Sequence, residues 1–186
     1  QVNVDLQREQ VLERLRGQAQ GMQSSEDIKP VVEAVHRELA GLGFNLQLAG
    51  INLALSESEI ETWQTDEDGR AIDPFVIPRD KTGRTAEARN RGEYYLHRHW
   101  AAEEIREAIR DSIIAGNSRW ARIKEEQWPQ ESDTYSIFFD QGAVVLASDS
   151  PIKEDDLMLI KRFGEVFGYA HSRYKELQEK EAQNQE

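Results

Sequence analysis

The chain has 186 residues, of which 38% are hydrophobic and 31% charged, and it carries a net charge of -12. An excess of carboxylates on that scale repels nucleic-acid phosphates and anionic lipid headgroups, so neither is expected as a partner. Cysteine is absent, which excludes disulfides, thiolate metal sites, cysteine nucleophiles and thioether-linked chromophores.

No apolar run approaches the roughly 18 residues needed to cross a bilayer, and no signal peptide is visible. A chain without disulfides is compatible with the cytoplasm, the location expected here. The length suits one domain with helical extensions. The sequence opens on Gln1 and closes on "KELQEKEAQNQE", a helix-forming run without a stop signal. It therefore reads as a piece of a longer protein, cut through helices at both ends.

The first element, "VDLQREQVLERLRGQAQGM", places Leu12, Leu15, Ala19 and Met22 on one narrow stripe with charges between them. That spacing predicts an amphipathic helix, weakened at Gly17 and Gly21 by about 1 kcal/mol each relative to Ala. A second helix is predicted from "SSEDIKPVVEAVHRELAGLG", with Ser24 or Ser25 as its cap. Ile28, Val31, Val32, Val35 and Leu39 form its apolar face, Pro30 fits its first turn, and Gly41 or Gly43 ends it.

"FNLQLAGINLAL" and "SEIETWQT" alternate as strands, joined through "SESE". The apolar parity changes at Gly50, which predicts a bulge there. "TDEDGRAIDP" is a polar loop, "FVIP" a short strand, and "DKTGRTAEARNRG" a loop with two helical turns. A strand over 93–100 precedes a helix over 101–115 that ends at Gly116. After an irregular connection come "TYSIFFD" and "AVVLASD", with Gln141-Gly142 predicted as a tight turn using positive φ at the glycine.

In the last segment Ser150 is expected to cap a helix with Pro151 at its first position. Ile160, Phe163, Phe167, Ala170, Tyr174 and Leu177 then recur at spacings of 3, 4, 3, 4 and 3. This heptad seam is too long for one small core and predicts pairing with a second copy. The dimer seam is expected from Leu12, Leu15 and Met22 of the first helix with Phe163, Phe167, Ala170, Tyr174 and Leu177 of the last. Hairpin-linked strands between helical ends indicate an α+β fold on an antiparallel sheet.

Three stretches resemble the GAF sensory domain, as found in bacterial sensor histidine kinases and other multidomain signalling proteins. They are "LERLRGQAQGMQSSEDIKPVVEAVHRELAGLGF", "EYYLHRHWAAEEIREAI" and "SIFFDQGAVVLASDSPIKEDDLMLIKRFGEVFGYAHSRYKELQEKEAQ". The resemblance covers essentially the whole chain. It implies a six-stranded antiparallel sheet with a bundle of terminal helices on one face and a small-ligand pocket on the other. It also implies a homodimer whose helices relay a signal to an output domain further along the same chain.

On this reading residues 1–23 are a dimerisation helix, 24–160 the sensory domain and 161–186 a signalling helix. No ATP-binding motif or recognisable phosphoacceptor histidine is present, so no catalysis is expected from these residues. Without cysteine a covalent bilin is excluded, and the acidic and asparagine motif associated with cyclic-nucleotide-binding GAF domains is not visible. The ligand is left as an unidentified small molecule.

For the pocket wall the aromatic and histidine residues are the candidates: Trp63, Phe75, Tyr95, His97, His99, Trp100 and Phe139, with Ile109 from the following helix. Along the strand, Tyr95, His97 and His99 share one face, and Tyr94, Leu96, Arg98 and Trp100 the other. Core packing is the competing reading for the aromatics. Two imidazoles on one face could also ligate a metal, as in a metal-dependent enzyme; a carboxylate such as Glu103 could be the third ligand, but in so acidic a chain nothing singles it out. No metal site is therefore expected.

His36 and His171 are read as half-exposed helix positions, and "EEIREAIRD" as a solvated face of ion pairs. "DEDG" at 66–69 lacks the remaining ligands of a calcium loop and is read as a turn. A purely structural dimerisation module without ligand is the alternative.

Overall fold

The structure, a computed structural model, describes residues 2–79 and 83–185. In chain order it contains α1 (Val2–Gln20), α2 (Ile28–Gly41), β1 (Leu46–Ala54), β2 (Glu59–Gln64), β3 (Phe75–Pro78) and α3 (Arg84–Asn90). Then come β4 (Tyr95–Trp100), α4 (Ala102–Ile114), α5 (Ser118–Ala121), β5 (Ser132–Phe139), β6 (Gly142–Ser148) and α6 (Glu154–Asn184). Residues 80–82 of the expected loop before α3 lie outside the described residues.

All six strands belong to one sheet in the order β3-β2-β1-β6-β5-β4, and every neighbouring pair runs antiparallel. The α+β architecture expected from the sequence is the one observed. Antiparallel strands alternate their side chains between two faces. One face carries Ala49, Ile51, Leu53, Trp63, Tyr135, Ile137, Phe139, Val144 and Leu146 into a single hydrophobic core shared with α1, α2 and α6. Val31, Val32, Val35 and Leu39 of α2 are buried there, as are Leu12, Leu15 and Ala19 of α1. Each of these buried valines and leucines contributes about 1.5–3 kcal/mol over its exposed state.

The heptad seam of α6 is used inside one chain. Phe167 is fully buried and packs edge-on to Phe139 at 5.7 Å, with Phe163 6.3 Å away. Tyr174 is buried, and its hydroxyl lies 3.1 Å from Ser25 Oγ. Six of the eight residues expected to meet a second copy, Leu12, Leu15, Met22, Phe163, Phe167 and Tyr174, therefore pack in their own core. Ala170 is half-buried against that core and Leu177 is exposed.

The physical reason is the partner surface. A heptad stripe needs something apolar to cover it, and here the sheet and α1 supply the cover before any second chain does. Residues of the three expected segments thus share one core. From Lys175 to Asn184 every residue of α6 is exposed.

Three local details differ from expectation. The bulge lies between Leu46 and Leu48, whereas Gly50 is in register. Glycine is required at 50 because a Cβ would lie 2.6 Å from the Trp63 carbonyl oxygen. Gly142 has no positive φ; a Cβ there would fall 1.8 Å from Asn52 O, so it answers a close approach of backbones. Ser150 and Pro151 precede α6, whose first turn holds Glu154, Asp155 and Asp156 against the positive helix end.

Candidate functional site

The second face of the sheet is of a different composition. Residues alternating with the core set point to it: Asn52 of β1, Thr62 and Gln64 of β2, Leu96, Arg98 and Trp100 of β4, Thr134, Ser136 and Phe138 of β5, and Ala143 and Val145 of β6. Strand register sets them in rows across the sheet. One row runs Phe75, Thr62, Asn52, Ala143, Phe138, and the next Gln64, Gly50, Val145, Ser136, Leu96. The face therefore mixes polar and apolar groups: Asn52, Thr62 and Gln64 lie on one side of Ala143 and Val145, and Ser136 on the other. Thr62 is fully buried, and its hydroxyl accepts Gln64 Nε2–H at 3.2 Å. Asn52 and Ser136 make no side-chain hydrogen bond with any of the described residues.

Short helices cover this face. Ala88 of α3 packs on Phe138 and Ala143, with Leu96 and Val145 beside them. A separate cluster joins Ile105 and Ile109 of α4 to Trp128, with Trp100, Ile113, Trp120 and Ile123 around it. The layer over this face has small cores of its own, distinct from the main one.

Charged side chains pin the layer at two ends. At the β4 end, Arg98 stacks on Trp100, its Cζ 3.5 Å from the ring centroid. Its Nη2 donates to Glu104 Oε2 at 3.2 Å, while Trp100 Nε1 donates to Thr134 Oγ1 at 2.8 Å. The Ala101 N–H and Arg98 hold the Glu104 carboxyl below its ordinary range.

At the far end, Arg119 of α5 is 5% exposed. It donates from Nη1 to Gln47 O at 2.8 Å, and its Nε lies 3.3 Å from Glu67 Oε2. Burial lowers the guanidinium pKa, with Glu67 and Asp66 acting against that. Arg122 Nη1 donates to Glu67 Oε1 at 2.8 Å. Asn117 caps α5, its Oδ1 accepting from the Arg119 and Trp120 N–H groups.

The eight expected pocket residues divide between the two faces. Phe75, Trp100 and Ile109 belong to the covered polar face: Phe75 heads its first row and the other two join the cap cluster. Trp63, Tyr95, His97, His99 and Phe139 face the helical bundle. Trp63 and Phe139 are buried in the main core and Tyr95 packs against it. His97 stacks on Tyr135 with ring centroids 4.4 Å apart.

Tyr95, His97 and His99 share one face, as the alternation predicts, but it is the helical face and not the pocket face. Alternation fixes which residues lie together and leaves open which helices cover them. Asn52, Thr62, Gln64, Arg98, Thr134 and Ser136 were not singled out as site residues. Their signal is the polar residue recurring between apolar ones in "INLAL", "IETWQT" and "TYSIFF".

The acidic loop is a turn, as expected. Asp66 Oδ1 accepts the N–H groups of Asp68 at 2.8 Å and Arg70 at 3.0 Å, and Gly69 takes φ 78. His36 Nδ1 sits 2.8 Å from Thr65 Oγ1; burial, with Arg119 nearby, lowers its pKa. His171 is half-buried against Phe167 and Tyr174, and burial, with Lys175, lowers its pKa too.

On the helical side an open groove of about 820 Å³ runs between α1 and α6 past Arg16, Met22, Val166, Tyr169 and Leu177. A smaller one of about 490 Å³ lies between α1 and α2. Among the described residues no helix is long and apolar enough to cross a membrane.

No family model matches the sequence, and no curated protein matches it. Among solved structures, the chain is similar to the A. aeolicus nlh2 GAF domain in an inactive state. The TM-score is 0.48 at 11% identity, covering 94% of this chain and 99% of that one. The chain's own sheet order, with the terminal helices on one face and short helices on the other, is the GAF-like architecture that the sequence resemblance implied.

Proposed function

We propose that this chain is a sensory module: it binds a small ligand between the polar face of the sheet and the α3–α4–α5 layer, and passes the effect to a partner domain through α1 and α6. One observation supports this above the others. The two faces of one sheet differ in kind, one closed by a single apolar core and the other a mixture of polar and apolar groups under a separately packed cover. A ligand site of this type is mostly apolar with a few polar groups that fix orientation. Here Asn52, Gln64 and Ser136 are those groups. The reading assigns no bond-making step to these residues, and it sets the domain in a cytoplasmic, homodimeric signalling protein with an output domain such as a histidine kinase.

Two copies would meet through the solvent side of the terminal helices. Tyr169 is 72% exposed, and Leu6 and Leu177 are each more than half exposed. These residues, rather than the buried seam, are free for a partner. Tyr169→Glu with Leu177→Glu is expected to lower the mass seen by light scattering; an unchanged dimer, or a wild-type monomer at high concentration, would remove this part of the proposal.

The ligand is tested by thermal shift with a library of metabolites and nucleotides. A binder present at 100 times its Kd adds about 2.7 kcal/mol, and Ser136→Ala or Asn52→Ala is expected to reduce that shift. If no compound shifts the wild type, the structural reading gains. Thr62 and Phe75, both buried on this face, favour that second reading, in which side chains fill the space themselves.

A further inference from the structure

We propose that His97, His99 and Asp133 form a binding site for a borderline divalent transition ion of the zinc class, at the free edge of the sheet on its helical face. This site is separate from the covered polar face and does not rest on the ligand reading.

Backbone pairing, not a loop, brings the three together. His97 and His99 are two residues apart on β4 and so share a face, and Asp133 is the direct cross-strand partner of His99 on β5. Both imidazoles already address the same carboxylate oxygen: His97 Nε2–H and His99 Nδ1–H donate to Asp133 Oδ1 at 2.9 and 3.2 Å. Two donors of a tetrahedral site with bonds of about 2.0–2.1 Å stand roughly 3.3 Å apart, so each nitrogen–oxygen pair is close to the spacing a shared cation requires.

The three side chains answer to different constraints. The His97 ring lies parallel to Tyr135, at 2° and 4.4 Å, and Tyr135 is itself buried, so that imidazole has a fixed support. The His99 side chain is 54% exposed and has room to turn between staggered wells. That freedom matters because the three groups do not yet form a set with every ligand atom within 4.8 Å of the others; among the described residues only Asp66, Glu67 and Asp68 do.

The acidic set is nevertheless the poorer candidate. Asp66 and Glu67 are engaged by Arg122, and Glu67 also by Arg119, so a cation would have to displace guanidinium groups. Among the described residues Asp133 is engaged by the two imidazoles and by no lysine or arginine. On binding, the ligating nitrogen of each imidazole gives up the hydrogen now shared with Asp133: a neutral ring moves it to its other nitrogen by tautomerisation, and a protonated ring releases it to solvent. Three protein ligands leave a fourth position for water.

The test is titration of the purified chain with Zn2+ by calorimetry, and with Co2+ followed by visible absorption. One equivalent is expected to bind saturably, moving the His97 and His99 ring resonances together. Asp133→Asn or His99→Ala is expected to weaken binding by roughly 10–100-fold, and His97→Ala with His99→Ala to abolish it. Asp68→Asn is expected to leave it unchanged. All these side chains are at least part-exposed, and circular dichroism checks that the fold persists. Wild-type protein without saturable binding, or a double histidine variant with undiminished affinity, would overturn the proposal.

Discussion

The two faces of the sheet come from the same six strands and differ in almost everything else. The helical face buries Trp63, Ile137, Phe139 and Leu146 under three long helices in one continuous cluster. The opposite face sets Asn52, Thr62, Gln64, Thr134 and Ser136 beneath short helices whose apolar residues cluster apart from the main core. Stability belongs to the first face and adaptability to the second, since regions with few buried apolar contacts open at lower free energy than the global unfolding.

The contrast is broken most severely at Phe167. It sits between Phe139, Phe163 and His171, and Phe167→Ala is expected to cost about 3–5 kcal/mol in urea unfolding. A loss under about 1 kcal/mol would mean that the helical face is not the main core. Phe167→Glu should unfold the chain rather than separate two copies. Next in size is Gly142→Ala, where the new Cβ meets Asn52 O and its carbonyl carbon. Overpacking against backbone costs about 1–3 kcal/mol, and an unchanged urea midpoint would refute the close approach.

On the other face the expected effect is local. Arg119→Ala removes the tie from α5 to Gln47 O and Glu67. Hydrogen exchange should quicken in α4 and α5 while α2 and α6 keep their protection; uniform acceleration would show the cap to be part of the global unit.

The smallest effect concerns pH. His171 and His36 have pKa values lowered by burial, so below the ordinary imidazole value of about 6.5 the unfolded chain binds more protons than the folded one. Their contribution to stability is complete above that value and declines as pH falls through it. The decline in urea midpoint between about pH 7.5 and pH 5 should be shallower in His171→Gln than in wild type. Equal slopes would contradict it.

Much of this was legible beforehand. The stripe of α2 and the alternation in "TYSIFF" and "AVVLAS" gave the elements in order, because helices and strands impose periods of 3.6 and 2 on a half-buried surface. The heptad of α6 is equally legible, but most of it closes on the chain's own core. Phe163, Phe167 and Tyr174 need an apolar cover, and their spacing says nothing about whether it comes from the same chain. Likewise Tyr95, His97 and His99 were placed together correctly, and against the wrong layer. Asn117 and Arg119 lay in a stretch read as irregular connection, since a four-residue helix is too short to leave a period.

What the sequence by itself determined is local: the segments, their faces, the acidic surface and the absence of cysteine chemistry. All of these follow from neighbours within a few residues. Only the tertiary structure decided which face met which helix, that the α6 seam closed on its own sheet, and that Asp133 came to lie between two histidines more than thirty positions away. Those outcomes depend on strand register between distant segments, and pairing energies of that kind are not written in any single stretch of chain.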